Sequence, residues 1–310
     1  MQTVFWRRRA IAIGGLAVLL VAVVLLARGC GGDDSAQSGD GAASAEDAPL
    51  PQLPRGGRVI LPGHRVIAYY GAPQDRQLGV LGIGSPKKAG ERLAKTTKAY
   101  ARYGPAWPAM ELIAVVAAGA PGNDGMYRTR QPDKIIRRYL KAARAMKALL
   151  ILDVQPGRSD FLQEAMALEK WLREPDVSLA LDPEWRIDAP NVPGQVIGSV
   201  SAREVNAVSF WLSNLVRERR LPQKLLLLHR FTHDMLPAQD QIKQRRGLAI
   251  TINVDGFGGQ AVKRAKYKEF ARENPRFFNG FKLFYEEDSG LFKPRQVVRL
   301  TPSPNVVVYE

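Results

Sequence analysis

The chain predicts an α/β fold, a closed (β/α)8 barrel of the TIM type. Three observations carry this expectation. Apolar runs stop abruptly at a polar side chain: 148–152 at Asp153, 177–181 at Asp182, 225–228 at His229, 248–252 at Asn253, and 281–284 (broken only by Lys282) at Tyr285. Amphipathic stretches of helical length alternate with these runs, which is the order of a parallel sheet. Strand candidates near residues 66, 111, 149, 178, 225, 249, 280 and 306 number eight, the count of a closed barrel. An open doubly wound parallel sheet is the alternative. Against it, Gly79, Gly82 and Gly84 follow the first strand at the wrong spacing for a phosphate-binding loop, and a plain turn explains them.

Residues 1–30 stand apart from that fold. Arg7, Arg8 and Arg9 precede an unbroken apolar stretch over 10–27, the pattern of an export signal or an uncleaved anchor. At ~1.5 Å per residue the stretch would be about 27 Å long, enough for one membrane span. Ala27-Arg28-Gly29-Cys30 resembles a bacterial lipoprotein processing site, and the resemblance implies lipidation of Cys30. Arg28 departs from that pattern, so an uncleaved span and a simple cleaved signal stay open. All three place the rest of the chain on the extracytoplasmic side of the cell membrane. Cys30 is the one cysteine, so no intrachain disulfide can form.

Residues 31–57 read as a disordered tether, rich in Gly, Ala, Ser and Asp and poor in large apolar side chains. The barrel domain is expected over 58–310, long enough to bury one large core. Residues 65–71 read as the first strand. A helix over 86–103 is stopped by Gly104-Pro105. The second strand covers 110–118 and is followed by a Gly/Asn/Asp loop. Pro132-Asp133 opens the next helix, and Ser159 or Asp160 caps another that ends near Pro175. Ser201 and Glu204 have capping-box spacing ahead of a helix to Arg220. Residues 259–274 form a basic helix and 306–309 the last strand. The segment 288–304 replaces the helix expected after the seventh strand.

The formal net charge is +15, distributed unevenly. Residues 51–150 carry eighteen Lys/Arg against five Asp/Glu, a net of +13. Most of these cations fall on the two helices at 86–103 and 132–147. Such a surface attracts anionic lipid or an anionic wall polymer; a solvated outer face is the plainer explanation. Nothing in the chain matches a nucleic-acid recognition motif.

In a parallel barrel the chemistry gathers at the carboxyl ends of the strands. Asp182-Pro183-Glu184 is the sharpest signal there. In an extended strand residues two apart face the same side, and two carboxylates held together raise one pKa into the range of a general acid. Trp185 would supply an aromatic wall for a sugar ring. A strand-to-loop turn with a solvated Glu184 is the structural alternative. Asp153 and Asp255 end neighbouring strands and would bind substrate hydroxyls or cap turns. His229, Arg230, Tyr285 and Tyr70 complete the predicted rim, although one of Tyr69 and Tyr70 must point into the helix layer.

The run Leu179-Ala180-Leu181-Asp182-Pro183-Glu184-Trp185 resembles the fourth-strand Asp-x-Glu ending of chitinase-type and lysozyme-like barrel glycoside hydrolases. The resemblance implies that Glu184 protonates the glycosidic oxygen. It implies that Asp182 orients the substrate N-acetyl group or helps to bind a charged intermediate, with Asp255 and Tyr285 as auxiliaries. Ser178 and Ala180 stand where the chitinase pattern has further aspartates, and the tryptophan follows the glutamate instead of preceding it.

His229 and His233, with Asp182, are similar to the Asp-then-His-x-x-x-His order of polysaccharide deacetylases, without that family's paired aspartates. A hydrogen-bonded His229 is the plainer reading, and no metal and no cofactor are expected. There is no Gly-x-Ser-x-Gly for nucleophilic serine chemistry. Lys282, inside the seventh strand, suits an ion pair with a rim carboxylate better than a Schiff base. The expectation is therefore a membrane-tethered extracytoplasmic hydrolase of a surface or wall glycan. A non-catalytic binder of glycan or anionic polymer on a degenerate barrel is the alternative, and metal-dependent deacetylation a third.

Overall fold

A computed structural model describes residues 49–310 apart from Asn274. Eight parallel strands close into a barrel: β1 (Arg65–Gly71), β2 (Ala106–Ala117), β4 (Leu149–Val154), β5 (Val177–Leu181), β6 (Lys224–Arg230), β7 (Leu248–Val254), β8 (Phe278–Leu283) and β9 (Val306–Tyr309). β1 pairs with both β2 and β9, which closes the ring. All eight strands lie where the apolar runs predict them, and the open sheet is excluded. One strand was not foreseen. β3 (Arg128–Arg130) pairs antiparallel with the end of β2, which runs past the barrel rim after a register shift between Ile113 and Val115.

Helices fill the outer layer: α1 (Pro86–Ala101), α2 (Asp133–Ala145), α3 (Phe161–Ala167), α4 (Glu169–Leu172), α5 (Ala202–Glu218), α6 (Gln260–Arg272) and α7 (Pro294–Val298). Their starts follow local chemistry. Ser85 accepts a hydrogen bond from Lys88 N at 3.3 Å, and Asp160 from Gln163 N at 2.8 Å. Each such cap stabilises a helix by about 1 kcal/mol. At Ser201 only half of the expected capping box forms. Ser201 accepts from Glu204 N at 3.2 Å, but the Glu204 carboxylate turns away and accepts from Phe161 N at 2.8 Å, so it serves the start of α3 instead.

Strand side chains alternate between two cores. One set packs under the helices: Ile67 and Tyr69 of β1, Leu150 and Leu152 of β4, and Leu226 and Leu228 of β6. The other fills the barrel: Val66, Ala68 and Tyr70 of β1, Leu149 and Ile151 of β4, and Leu225 and Leu227 of β6. The barrel floor is closed by Leu53, Ile60 and Leu61, all buried within this inner core. Burial of each such side chain contributes about 1.5–3 kcal/mol. Packing therefore begins at Leu53, earlier than the boundary at Arg58, because the short apolar segment ahead of β1 serves as a plug. Gln223 holds that plug by accepting from Ile60 N at 2.7 Å and Leu61 N at 2.9 Å.

Among the described residues no helix is long and apolar enough to cross a membrane. The stretch 10–27 and Cys30 lie outside the described residues.

Candidate functional site

The inner face changes character along the strands. Its lower positions are mostly apolar, whereas toward the carboxyl end of the barrel each strand, or the residue just after it, presents a hydrogen-bonding side chain. The set is Tyr70 from β1, Glu111 from β2, Asp153 from β4, Asp182 just after β5, His229 from β6, Asn253 from β7, Lys282 from β8 and Glu310 just after β9. All but Glu310 are buried, and Glu310 is nearly so.

His229 is the hub. Its Nε2 donates to Glu111 Oε1 at 2.9 Å and lies 3.8 Å from Asp153 Oδ1. Its Nδ1 lies 3.3 Å from Asp255 Oδ2. Burial pushes the imidazole down, but the Asp255 and Glu111 carboxylates outweigh it and hold the pKa well above the ordinary histidine value. The ring is therefore an imidazolium at neutral pH, a donor at both nitrogens. Asn253 Nδ2 is 3.3 Å from the same Nδ1, while Asn253 Oδ1 is buried without a hydrogen-bond partner.

A second centre lies at Tyr70. Its hydroxyl is 3.4 Å from Asp153 Oδ2 and 3.5 Å from Asp182 Oδ2, and accepts from Gln155 Nε2 at 3.0 Å. One hydroxyl thus bridges two carboxyl groups. Burial and the neighbouring Asp182 charge push the Asp153 carboxyl well above the usual carboxylate range, and Glu111 adds to this. The shift favours the protonated form of Asp153, the form a general acid must hold.

Lys282 balances the other side. Its Nζ lies 3.2 Å from Asp255 Oδ2, 2.7 Å from Glu310 Oε2 and 3.8 Å from the centre of the Tyr70 ring. A neighbouring buried pair, Lys263–Asp288 at 2.9 Å, fixes the backbone around it. Lys263 Nζ donates to Gly256 O at 2.9 Å and to Lys282 O at 2.8 Å.

The predicted site residues divide accordingly. Tyr70, Asp153, Asp182, His229 and Asp255 meet in one network. Arg230 does not, because the strand alternation that turns His229 inward turns Arg230 outward. It bonds Gln239 Oε1 at 2.7 Å, pairs with Glu273 and stacks on Phe270. Tyr285 is also excluded. It is 42% exposed, stacks on Tyr309 and approaches the Tyr69 hydroxyl at 3.3 Å, outside the barrel. His233 turns away to Glu269 and Glu273, so the two histidines do not converge on one ion.

Asp182 and Glu184 differ from the expected geometry. The chain leaves the strand at Asp182, and Pro183–Trp185 form a 3-10 turn, so the two carboxylates are not related by strand alternation. Proline at the head of the turn fixes this. Asp182, Glu184 and Trp185 are all buried. The acids thus lie under a covered mouth. A cavity lined by Arg245, Arg246, Arg276 and Phe277 sits at the opposite end of the barrel and does not reach them.

Glu111, Asn253 and Glu310 were not singled out from sequence. Glu111 carried a signal, as a lone carboxylate inside an apolar run that forms a central strand. Among the described residues one group could offer ligands to a cation. Oxygens of Glu111 and Asp153 and a nitrogen of His229 lie within 4.8 Å of one another. A metal there would have to displace the proton on His229 Nε2, since a protonated nitrogen has no lone pair to give. No protein-family model matches the chain, and no match is found among curated proteins.

Proposed function

We propose that this protein is a glycoside hydrolase acting on a cell-surface or wall glycan, held at the outer face of the membrane through the apolar stretch at 10–27. The observation that carries the reading is the facing pair Asp153 and Asp182 under one tyrosine hydroxyl. Glycoside hydrolysis needs one carboxyl that holds a proton and one that does not. The raised pKa of Asp153 supplies the first, and we assign the proton to it rather than to Glu184. Asp182 is the opposing carboxylate. The contacts to Tyr70 cap the separation of their Oδ2 atoms at about 7 Å, an upper bound that is compatible with the ~5–5.5 Å spacing of retaining glycosidase acid pairs and reaches only the low end of the inverting range. Glu184, on the next turn, is the third acid. Lys282 and His229 are the cations that face this anionic set.

Access requires the covering segments to open, because the acids are buried. That same burial favours the second reading, a non-catalytic glycan or polymer binder on a barrel whose polar interior only shapes the fold. The experiment is release of reducing ends from wall polysaccharide and chitin-like oligomers. Asp153→Asn, Asp182→Asn and Glu184→Gln are compared with the parent, folding being checked by circular dichroism. Loss of at least ~100-fold in the folded Asp153 and Asp182 variants supports the hydrolase. Binding without cleavage by the parent supports the second reading, and unchanged turnover in the Glu184 variant removes that residue from the chemistry.

A further inference from the structure

We infer that the outer face of α1 and α2 is a docking surface for anionic phospholipid headgroups, and that it lays the barrel on its side against the membrane. The inference rests in part on reading 10–27 as an anchor.

The two helices pack against each other in the outer layer. On α1, Lys95 and Lys98 are three apart, and Arg102 follows four later at the C-cap. On α2, Lys134, Arg138 and Lys141 are four and three apart. These spacings put each trio on one stripe of its helix, and all six side chains are exposed. Of the cations on α2, only Arg144 forms ion pairs among the described residues, with Glu174 and Asp176. Glu91 is the one acid on the α1 stripe and Asp133, at the head of α2, is engaged by Lys170. The stripes thus form a cationic field with little internal compensation. The inward faces, by contrast, are ordinary core: Leu93 and Tyr100 on α1, Ile136, Tyr139 and Leu140 on α2.

The place where the chain enters the domain selects lipid over a detached polymer. Arg55 donates to Lys147 O and to Ala106 O, both at 3.2 Å, so the incoming segment lies beside the carboxyl ends of α1 and α2. Twenty-seven residues, 28–54, separate that point from the apolar stretch, and a Gly/Ser-rich chain of that length has an r.m.s. reach of about 30 Å. A short linker of this kind raises the effective concentration of the face at the bilayer to the millimolar range. Weak attraction per charge is then sufficient. Each basic residue at an anionic surface strengthens association about five-fold, and salt weakens it because the contacts are exposed.

The test uses the full chain reconstituted into phosphatidylcholine vesicles with and without phosphatidylglycerol. Lysine acylation rates are read by mass spectrometry. Lys95, Lys98, Lys134 and Lys141 should be acylated at least five-fold more slowly on the anionic vesicles, and 0.5 M salt should abolish the difference (an order-of-magnitude expectation for exposed charges). The triple variant Lys95→Glu, Lys98→Glu, Lys141→Glu should lose the protection of Lys134 while remaining in the vesicle. Equal rates on the two vesicle types would overturn the inference. So would equal protection by soluble poly(glycerol phosphate) on neutral vesicles, which would assign the face to a wall polymer. Failure of the chain to insert at all would remove the anchor. Salt-sensitive co-sedimentation with anionic vesicles, about 100-fold weaker in the triple variant, would then still uphold the face; its absence would not.

Discussion

Replacing Lys282 by Met tests the electrostatic account of the barrel interior. The substitution keeps most of the stem and removes the ammonium group. That group is 1% exposed and lies 3.2 Å from Asp255 and 2.7 Å from Glu310, whose side chains are 4% and 13% exposed. Its loss leaves two carboxylates without their main cation on that side of the network. Removing one partner of a buried pair costs about 3–5 kcal/mol, because the remaining charge stays desolvated. Contact with the Tyr70 ring at 3.8 Å adds to the loss. For a domain of this size 1 kcal/mol moves Tm by about 2–4 °C, so Tm should fall by about 6–20 °C near neutral pH. Differential scanning calorimetry of the full chain at pH 5 and pH 8 is the assay. The deficit should shrink at the lower pH, where the abandoned carboxylates can take up protons. A Tm within about 2 °C of the parent at neutral pH would refute the reasoning. An equal deficit at both pH values would place the loss in packing instead of charge.

Further outcomes are expected. Stability should fall as pH rises above neutrality. His229 has its pKa raised in the fold, so its contribution is present below the ordinary histidine value and is lost as pH climbs through the raised one. Asp153, also raised, acts in the same direction from the ordinary carboxylate value upward; His229→Gln should flatten the alkaline limb of a Tm–pH profile. Glu164 acts oppositely. Burial pushes it up, but hydrogen bonds from Arg130, Ser159 and Arg128 prevail and lower its pKa, so its contribution is lost in acid, which Glu164→Gln should make visible. Gly280→Ala should destabilise by about 1–3 kcal/mol in chemical denaturation, because an added Cβ would sit 2.3 Å from Asn253 Oδ1 and 3.0 Å from its Cα. Lys263→Met should cost about 3–5 kcal/mol through the stranded Asp288; a change below 1 kcal/mol in either variant would show that the neighbourhood relaxes freely.

The barrel was legible because its strands are nearly continuous apolar runs, buried on both faces, and each ends on a polar residue. Asp153, His229 and Asp255 were legible for the same reason. What failed was the direction of neighbouring side chains. Arg230 and Tyr285 sit at the right height but on the wrong side of the sheet, and alternation from His229 and Lys282 would have placed both outside. Asp182 and Glu184 were read as strand, yet Pro183 starts a turn that ends the alternation between them. Glu111 and Glu310 were missed because a lone acid in a strand, or just after one, gives no motif. Only the closed ring reveals that eight such positions meet. Of the plug, Ile60 and Leu61 fall inside the expected barrel domain, whereas Leu53 was hidden among the glycines and prolines of the segment read as linker.

The seam between β1 and β9 joins Val66 to Val306. Those partners are 240 positions apart along the chain, so this pairing has among the highest loop-closure costs in the molecule. It should therefore form late, after the β2-to-β8 wall has assembled from nearer neighbours. Until then Tyr70 stands on one free margin, Lys282 and Glu310 approach the other, and the carboxylates between them remain hydrated. An intermediate stalled at this stage exposes two unpaired strand margins, the arrangement most prone to joining another copy of itself. Ring closure would bring the end of that hazard and the assembly of the charged interior in a single step.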